Sequence, residues 1–138
     1  MQPSVFTRII RGELPAAKVY EDEHTSAFMD AGQVNPGHVI VATRRQVETI
    51  LDLDDELAGA LFRTAVRVAR AVDAAFRPEG ITVLQANRPA GWQTVPHVHL
   101  HVLPRHEGDG TGHRGGPATV PSLRFEPVRC PARSTCGW

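Results

Sequence analysis

Between Pro96 and Pro104 the chain reads Pro-His-Val-His-Leu-His-Val-Leu-Pro, with an imidazole alternating with an aliphatic side chain. Strand side chains alternate between faces with a period of two, so this run predicts a strand from His97 to Leu103, closed by Pro104. His97, His99 and His101 then share one face, while Val98, Leu100 and Val102 point into the core. A slip of one residue would bury three imidazoles and expose the aliphatic set, which fixes the register. Residues two apart on a strand lie about 6.5–7 Å from each other, so neighbouring imidazoles can touch one tetrahedral anion, such as a phosphoryl group, from two sides. Neutral imidazole is a good nucleophile near neutral pH, and a protonated neighbour donates a charge-assisted hydrogen bond to oxygen as it becomes negative. One strand can therefore supply both attack and stabilisation. Two other uses of the pattern stay open: a solvated strand face carrying surface histidines, and a ligand set for zinc, iron or copper.

The rest of the chain supplies a domain for that strand. Val5, Phe6, Ile9 and Ile10 follow helical spacing, and Gly12 stops the run. Lys18–Glu21 and Ser26–Met29 read as strands of a hairpin turned at Asp22, Glu23 and His24. The turn signal Asn35-Pro36-Gly37 delivers His38-Val39-Ile40-Val41, whose β-branched residues favour a third strand headed by a fourth histidine. Thr43–Ile50 is expected to form a short helix. Leu57, Leu61, Ala65, Val68, Val72 and Phe76 draw one apolar stripe along a long helix, begun by Asp52 or Asp54 and stopped by Pro78 and Gly80. Ile81–Gln85 reads as a strand and Asn87–Val95 as a loop. The expected class is α+β, with a domain over 1–106. Residues 107–138 form a Gly/Pro-rich tail without an apolar period, and its Cys130 and Cys136 could close only a short loop.

At 138 residues the chain has the size of one domain. Its 15 basic and 15 acidic residues balance, so no strong field of either sign is available to gather a polyanion. That argues against a nucleic-acid coat protein or a membrane-surface helix and leaves a small phosphorylated ligand, held by local geometry, open. The first residues lack a basic stretch followed by a long apolar run, and a cytoplasmic location is expected.

At His97 to Leu103 the sequence resembles the histidine-triad family, whose pattern is His-x-His-x-His followed by two apolar residues. Phe6-Thr7-Arg8-Ile9-Ile10-Arg11-Gly12-Glu13-Leu14-Pro15-Ala16, Asn35-Pro36-Gly37-His38 and Gly91-Trp92-Gln93-Thr94-Val95-Pro96 extend the resemblance over about the first 105 residues, toward the nucleoside phosphoramidate hydrolases. The resemblance implies a five-stranded antiparallel sheet with one long and one or two short helices, paired through the long helix and an edge strand into a ten-stranded sheet in a homodimer. It implies that His99 attacks the α-phosphorus of a purine nucleotide conjugate and carries the nucleotidyl group until water removes it. His101 would contact the phosphate, and His97 and His38 would orient the imidazoles. Asn87, Gln93 and Thr94 would contact phosphate oxygens or the bridging atom. Asp30 would take the ribose hydroxyls, and Phe6 and Phe28 would wall the base pocket. Read without the resemblance, Phe6 and Phe28 are ordinary core residues, Asp30 opens a turn, and Gln93 and Thr94 are common loop residues.

Bacterial relatives of this kind carry a structural zinc on a Cys-x-x-Cys, a later histidine and a triad histidine. Here Ser4, Thr7 and Gln46 stand at the first three of those positions, and oxygen and amide groups make a poor soft-metal site. No structural zinc is expected, and His97 is left for hydrogen bonding. No cofactor is required, although a divalent metal could shield a polyphosphate leaving group. The loop from Asn87 to Gln93 is one residue shorter than in some relatives, with Trp92 where glycine is usual. The expected activity is cleavage of a nucleoside monophosphate, AMP or GMP, from a phosphoramidate or related conjugate. The alternatives are a dinucleoside polyphosphate hydrolase and a nucleotide-binding regulatory module with little turnover.

Overall fold

The computed structural model describes residues 1–109; the expected tail beyond them, with Cys130 and Cys136, lies outside the described residues. A short helix, α1 (Val5–Ile10), is followed by three strands, β1 (Lys18–Glu21), β2 (Thr25–Met29) and β3 (Val39–Thr43). The long helix α2 (Asp55–Phe76) and strands β4 (Gly80–Leu84) and β5 (His99–Arg105) complete the order. The strands form one sheet in the order β1-β2-β3-β5-β4, and every neighbouring pair is antiparallel. This is the expected α+β class with a five-stranded antiparallel sheet.

The alternation in β5 sorts residues between two layers. Val98, Leu100 and Val102 pack with Ala27, Val39 and Val41 against Leu57, Leu61, Ala65, Val68 and Val72 of α2. Phe6 of α1 packs with Phe28, Ile40 and Ala42 in a second cluster. The sheet thus carries α2 on one face and α1 with the histidines on the other. Asp54 starts α2, accepting the Leu57 N–H at 2.8 Å, and the Thr25 and Thr64 hydroxyls meet at 2.7 Å between β2 and α2. Satisfying two buried hydroxyls with each other sets how the helix lies along the sheet.

Two local expectations are corrected. Thr43–Ile50 is not a helix: Thr43 ends β3, and the next regular piece is a 3-10 turn at Ile50–Asp52. The backbone there is taken by other parts of the chain, since Arg44 N–H bonds the His24 carbonyl at 2.8 Å and the Val47 carbonyl accepts Val98 N–H at 2.7 Å. Those long-range bonds outcompete the local helix. The histidine strand runs from His99 to Arg105 instead of His97 to Leu103, so Pro104 lies inside it. Pro104 pairs with Ile81 on β4, whereas β3 pairs with β5 only as far as Val102. The Pro104 carbonyl is met there by the Asn35 side chain at 2.8 Å, so proline's missing donor falls where the β3 ladder has ended.

Candidate active site

His99 and His101 project from β5 on the α1 side, with ring centroids 4.9 Å apart and edge to face. His97 precedes the ladder but keeps the alternation, and the Phe6 ring lies 5.7 Å from it and 4.7 Å from His99. His38, at the head of β3, places Nε2 2.8 Å from Nδ1 of His101. The four expected histidines therefore gather in one region, and all but His101 are buried.

The hydrogen bonds assign a proton to each ring. His99 Nδ1 lies 2.6 Å from the His97 carbonyl; a carbonyl only accepts, so Nδ1 carries the hydrogen and Nε2 keeps the lone pair. His97 Nε2 lies 2.6 Å from the Thr43 carbonyl and donates to it, which leaves Nδ1 to accept from the Ser4 hydroxyl at 2.6 Å. The Val34 N–H donates to His38 Nδ1 at 3.2 Å. His38 therefore carries its hydrogen on Nε2 and donates it to His101 Nδ1, and His101 in turn carries a hydrogen on Nε2. The result is a lone pair on His99 Nε2 beside a donor on His101.

Burial lowers the proton affinity of all four rings. His38 falls to about 4, mainly by desolvation, with Asp30 opposing the fall and His99 adding to it. His101 falls to about 3, through desolvation and then the neighbouring His99 and His38. His97 and His99 are lowered by burial as well, against the raising effect of their carbonyl acceptors. This lowering works against a charged imidazole beside the nucleophile unless an anion enters to balance it. Four cations cannot share a desolvated pocket.

Asp30 follows β2 and holds Oδ2 3.4 Å from His38 Nε2 and 4.0 Å from His101 Nδ1, while its Oδ1 accepts the Gly32 N–H at 2.9 Å. These three residues bring possible metal-ligand atoms within 4.8 Å of one another. The Val34 N–H opposes that use, because His38 must keep its hydrogen on the nitrogen that would bind the metal. Ser4, Thr7 and Gln46, at the positions that carry zinc in bacterial relatives, form a hydrogen-bonded cluster. Thr7 Oγ1 donates to Gln46 Oε1 at 2.6 Å, the Ser4 N–H donates to the same oxygen at 2.8 Å, and Gln46 Nε2 donates to the Gln2 carbonyl at 2.9 Å. With His97 Nδ1 accepting from Ser4, this set does not fit a tetrahedral zinc. Among the described residues no buried side-chain nitrogen or oxygen lacks a partner.

The loop before the histidines is braced by the amides expected to contact phosphate. Gln93 Oε1 accepts the Arg88 N–H and its Nε2 donates to the Glu48 carbonyl, both at 2.6 Å. Asn87 Oδ1 accepts the Ile50 N–H at 2.9 Å, and the Asn87 and Gln85 amides hydrogen bond to each other. Thr94 is exposed. Arg88 and Trp92, at φ 63° and 70°, flank the 3-10 turn Pro89–Gly91, and the Trp92 side chain is largely exposed. Phe6 and Phe28 lie 5.4 Å apart and are 5% and 1% exposed, in one packed cluster whose Phe6 ring meets His97 and His99. Sequence reasoning missed the Val34 N–H and the Thr43 carbonyl. Every residue has those groups, so no residue type announces them.

The HIT domain family model matches residues 11–108. The curated "Protein hit" of Bacillus subtilis is 42% identical over 109 residues, 78% of this chain and 75% of that protein. The adenosine 5'-monophosphoramidase hnt1 of Schizosaccharomyces pombe is 30% identical over 101 residues, 73% of each chain. Among solved structures, a HIT family member from Bacillus subtilis superposes with a TM-score of 0.79 at 36% identity, covering 86% of this chain and 84% of that one.

Proposed function

The chain belongs to the HIT domain family, and from that premise we propose that it is a nucleotide hydrolase or transferase that releases a nucleoside monophosphate from a phosphoramidate or related conjugate. The observation that carries this reading is the pairing of unlike tautomers: His99 holds its Nδ1 hydrogen on the His97 carbonyl, and His101 accepts on Nδ1 from His38. A nucleophile and a proton donor then stand side by side on one strand.

In the proposed reaction, His99 Nε2 forms a bond to the α-phosphorus as the bond from phosphorus to the leaving nitrogen breaks. His101, which takes up a proton as the anionic substrate enters, gives its Nε2 proton to that nitrogen and becomes a neutral ring again, and a neutral amine departs. The imidazole then carries the nucleotidyl group. Water attacks the same phosphorus, the N–P bond breaks, and the water's proton returns to His101, so both rings end in their starting state. Two displacements replace one slow substitution at an anionic centre.

Phe6 and Phe28 would back the base and Asp30 the ribose, with Thr94 toward the phosphate. Gln93 and Asn87 act chiefly by holding the loop. The phosphoramidase named among the relatives favours an amine leaving group over a second nucleotide. The test is single-turnover trapping with an adenosine phosphoramidate labelled at phosphorus. A labelled protein adduct that is lost in His99→Ala is expected, with amine release faster than cleavage of a diadenosine polyphosphate. Nucleotide binding without any adduct in the wild-type protein would reduce the function to binding.

A further inference from the structure

We infer that Asn35 is a positioning residue for this reaction: from outside the pocket it holds the turn whose backbone decides which nitrogen of His101 carries the proton. The inference rests on the nucleotidyl-transfer reading above for its kinetic consequence, though not for its structural one.

Asn35 is buried, three residues before His38 in the turn that leads into β3. Its Nδ2 has two hydrogens, and both are used: one bonds the Pro104 carbonyl at 2.8 Å and the other Asp109 Oδ2 at 2.9 Å. Asp109 is itself held by Arg105, whose Nε and Nη2 meet its two carboxylate oxygens at 2.8 and 3.0 Å, and by the His106 N–H at 3.0 Å. Pro104 and Arg105 belong to β5, three and four residues beyond His101. Asn35 therefore ties the turn that leads to His38 to the strand that carries His101.

The same turn supplies the decisive donor. The Asn35 carbonyl accepts the His38 N–H at 3.1 Å and the Gln33 side chain accepts the Gly37 N–H at 3.2 Å. This closed turn presents the Val34 N–H to His38 Nδ1. If the turn drifts, His38 loses the Val34 bond at Nδ1, only the Asp30 carboxylate 3.4 Å from Nε2 still favours a hydrogen there, and the direction of the His38–His101 bond is set less firmly. His101 could then hold its proton on Nδ1 and would stop being a donor at Nε2. Displacements of about 1 Å at a remote support are enough to lower turnover markedly.

The experiment compares wild type with Asn35→Ala and with Asn35→Asp, which keeps the shape but removes both donors. Nitrogen-detected NMR of the imidazoles reads the tautomers, and steady-state kinetics with an adenosine phosphoramidate reads the reaction. Expected are a single His101 tautomer protonated on Nε2 in wild type, mixed tautomers in both variants, and a fall in kcat of about tenfold with KM nearly unchanged. Asp109→Ala, which removes one of the two acceptors of Asn35, should give a smaller mixture and serves if neither Asn35 variant folds. A pure Nε2–H tautomer in the folded variants, with or without a loss of kcat, overturns the assignment. Absence of turnover in wild type would instead count against the reading of the site, while the tautomer comparison would still decide the role of Asn35.

Discussion

His99 and His101 lie two residues apart on one strand yet carry their protons on different nitrogens, because one faces a carbonyl and the other faces a second imidazole. Such assignments need every polar neighbour to be in place, which makes single substitutions informative. In Ser4→Ala the buried His97 Nδ1 loses its donor, at about 1–3 kcal/mol, and α1 loses the cap that accepts the Thr7 N–H, at about 1 kcal/mol. Urea unfolding should report the sum as a lower midpoint with an unchanged slope. Acid should act on the four rings together. Their folded affinities for protons lie below the ordinary value of 6.5, at about 4 for His38 and about 3 for His101. Between those values and 6.5 the unfolded chain binds more protons than the folded one, so stability rises with pH. It is fully present above pH 6.5 and is lost as the pH falls, by up to about 1.4 kcal/mol per pH unit for each histidine. Urea midpoints measured from pH 7 to 5 should fall steeply, and a flat profile would contradict the burial of these rings.

At the level of elements, the period-two alternation alone turns Val98, Leu100 and Val102 into the core, where the structure packs them against α2, and the apolar stripe from Leu57 to Phe76 locates α2 within two residues of its start. What failed were the stretches governed by distant partners. The segment Thr43–Ile50 looks helical in isolation, but His24 and Val98 take its backbone groups. Gln93 and Asn87 sit at positions the family resemblance links to phosphate, and only the folded loop reveals that their amides also hold Arg88, Glu48 and Ile50. Tautomers were equally illegible, because a histidine's letter does not say which of its nitrogens meets a carbonyl. Gly37 is a case where sequence and structure agree on the residue for a reason visible only in three dimensions. Its φ is +96°, and an added Cβ would stand 2.7–2.9 Å from the Phe76 ring. Gly37→Ala should cost at least about 2 kcal/mol, from backbone strain and from overpacking. Thermal unfolding checks it, and Phe76→Leu in the same chain should recover the part due to the ring alone.

On the scale of the whole molecule, β4 is an edge strand with β5 as its neighbour in the sheet, Val83 on it is 42% exposed, and Phe62 on α2 is 62% exposed. Open strand edges and large exposed apolar side chains are common sites of self-association. We propose that a second copy covers them, as the family resemblance implies. Light scattering should give twice the chain mass, and Phe62→Glu should shift the population toward the single chain; a wild-type monomer at high concentration would argue against it. No helix among the described residues is long and apolar enough to cross a membrane. The ring of Phe76 sits on the turn at Gly37, joining the last turn of α2 to the loop that bears His38. Fraying at that end of the helix would therefore uncover the backbone that orders the imidazoles, so the two regions should open as one cooperative unit. Hydrogen exchange at the helix terminus would then double as a gauge of how often the chemistry is out of alignment.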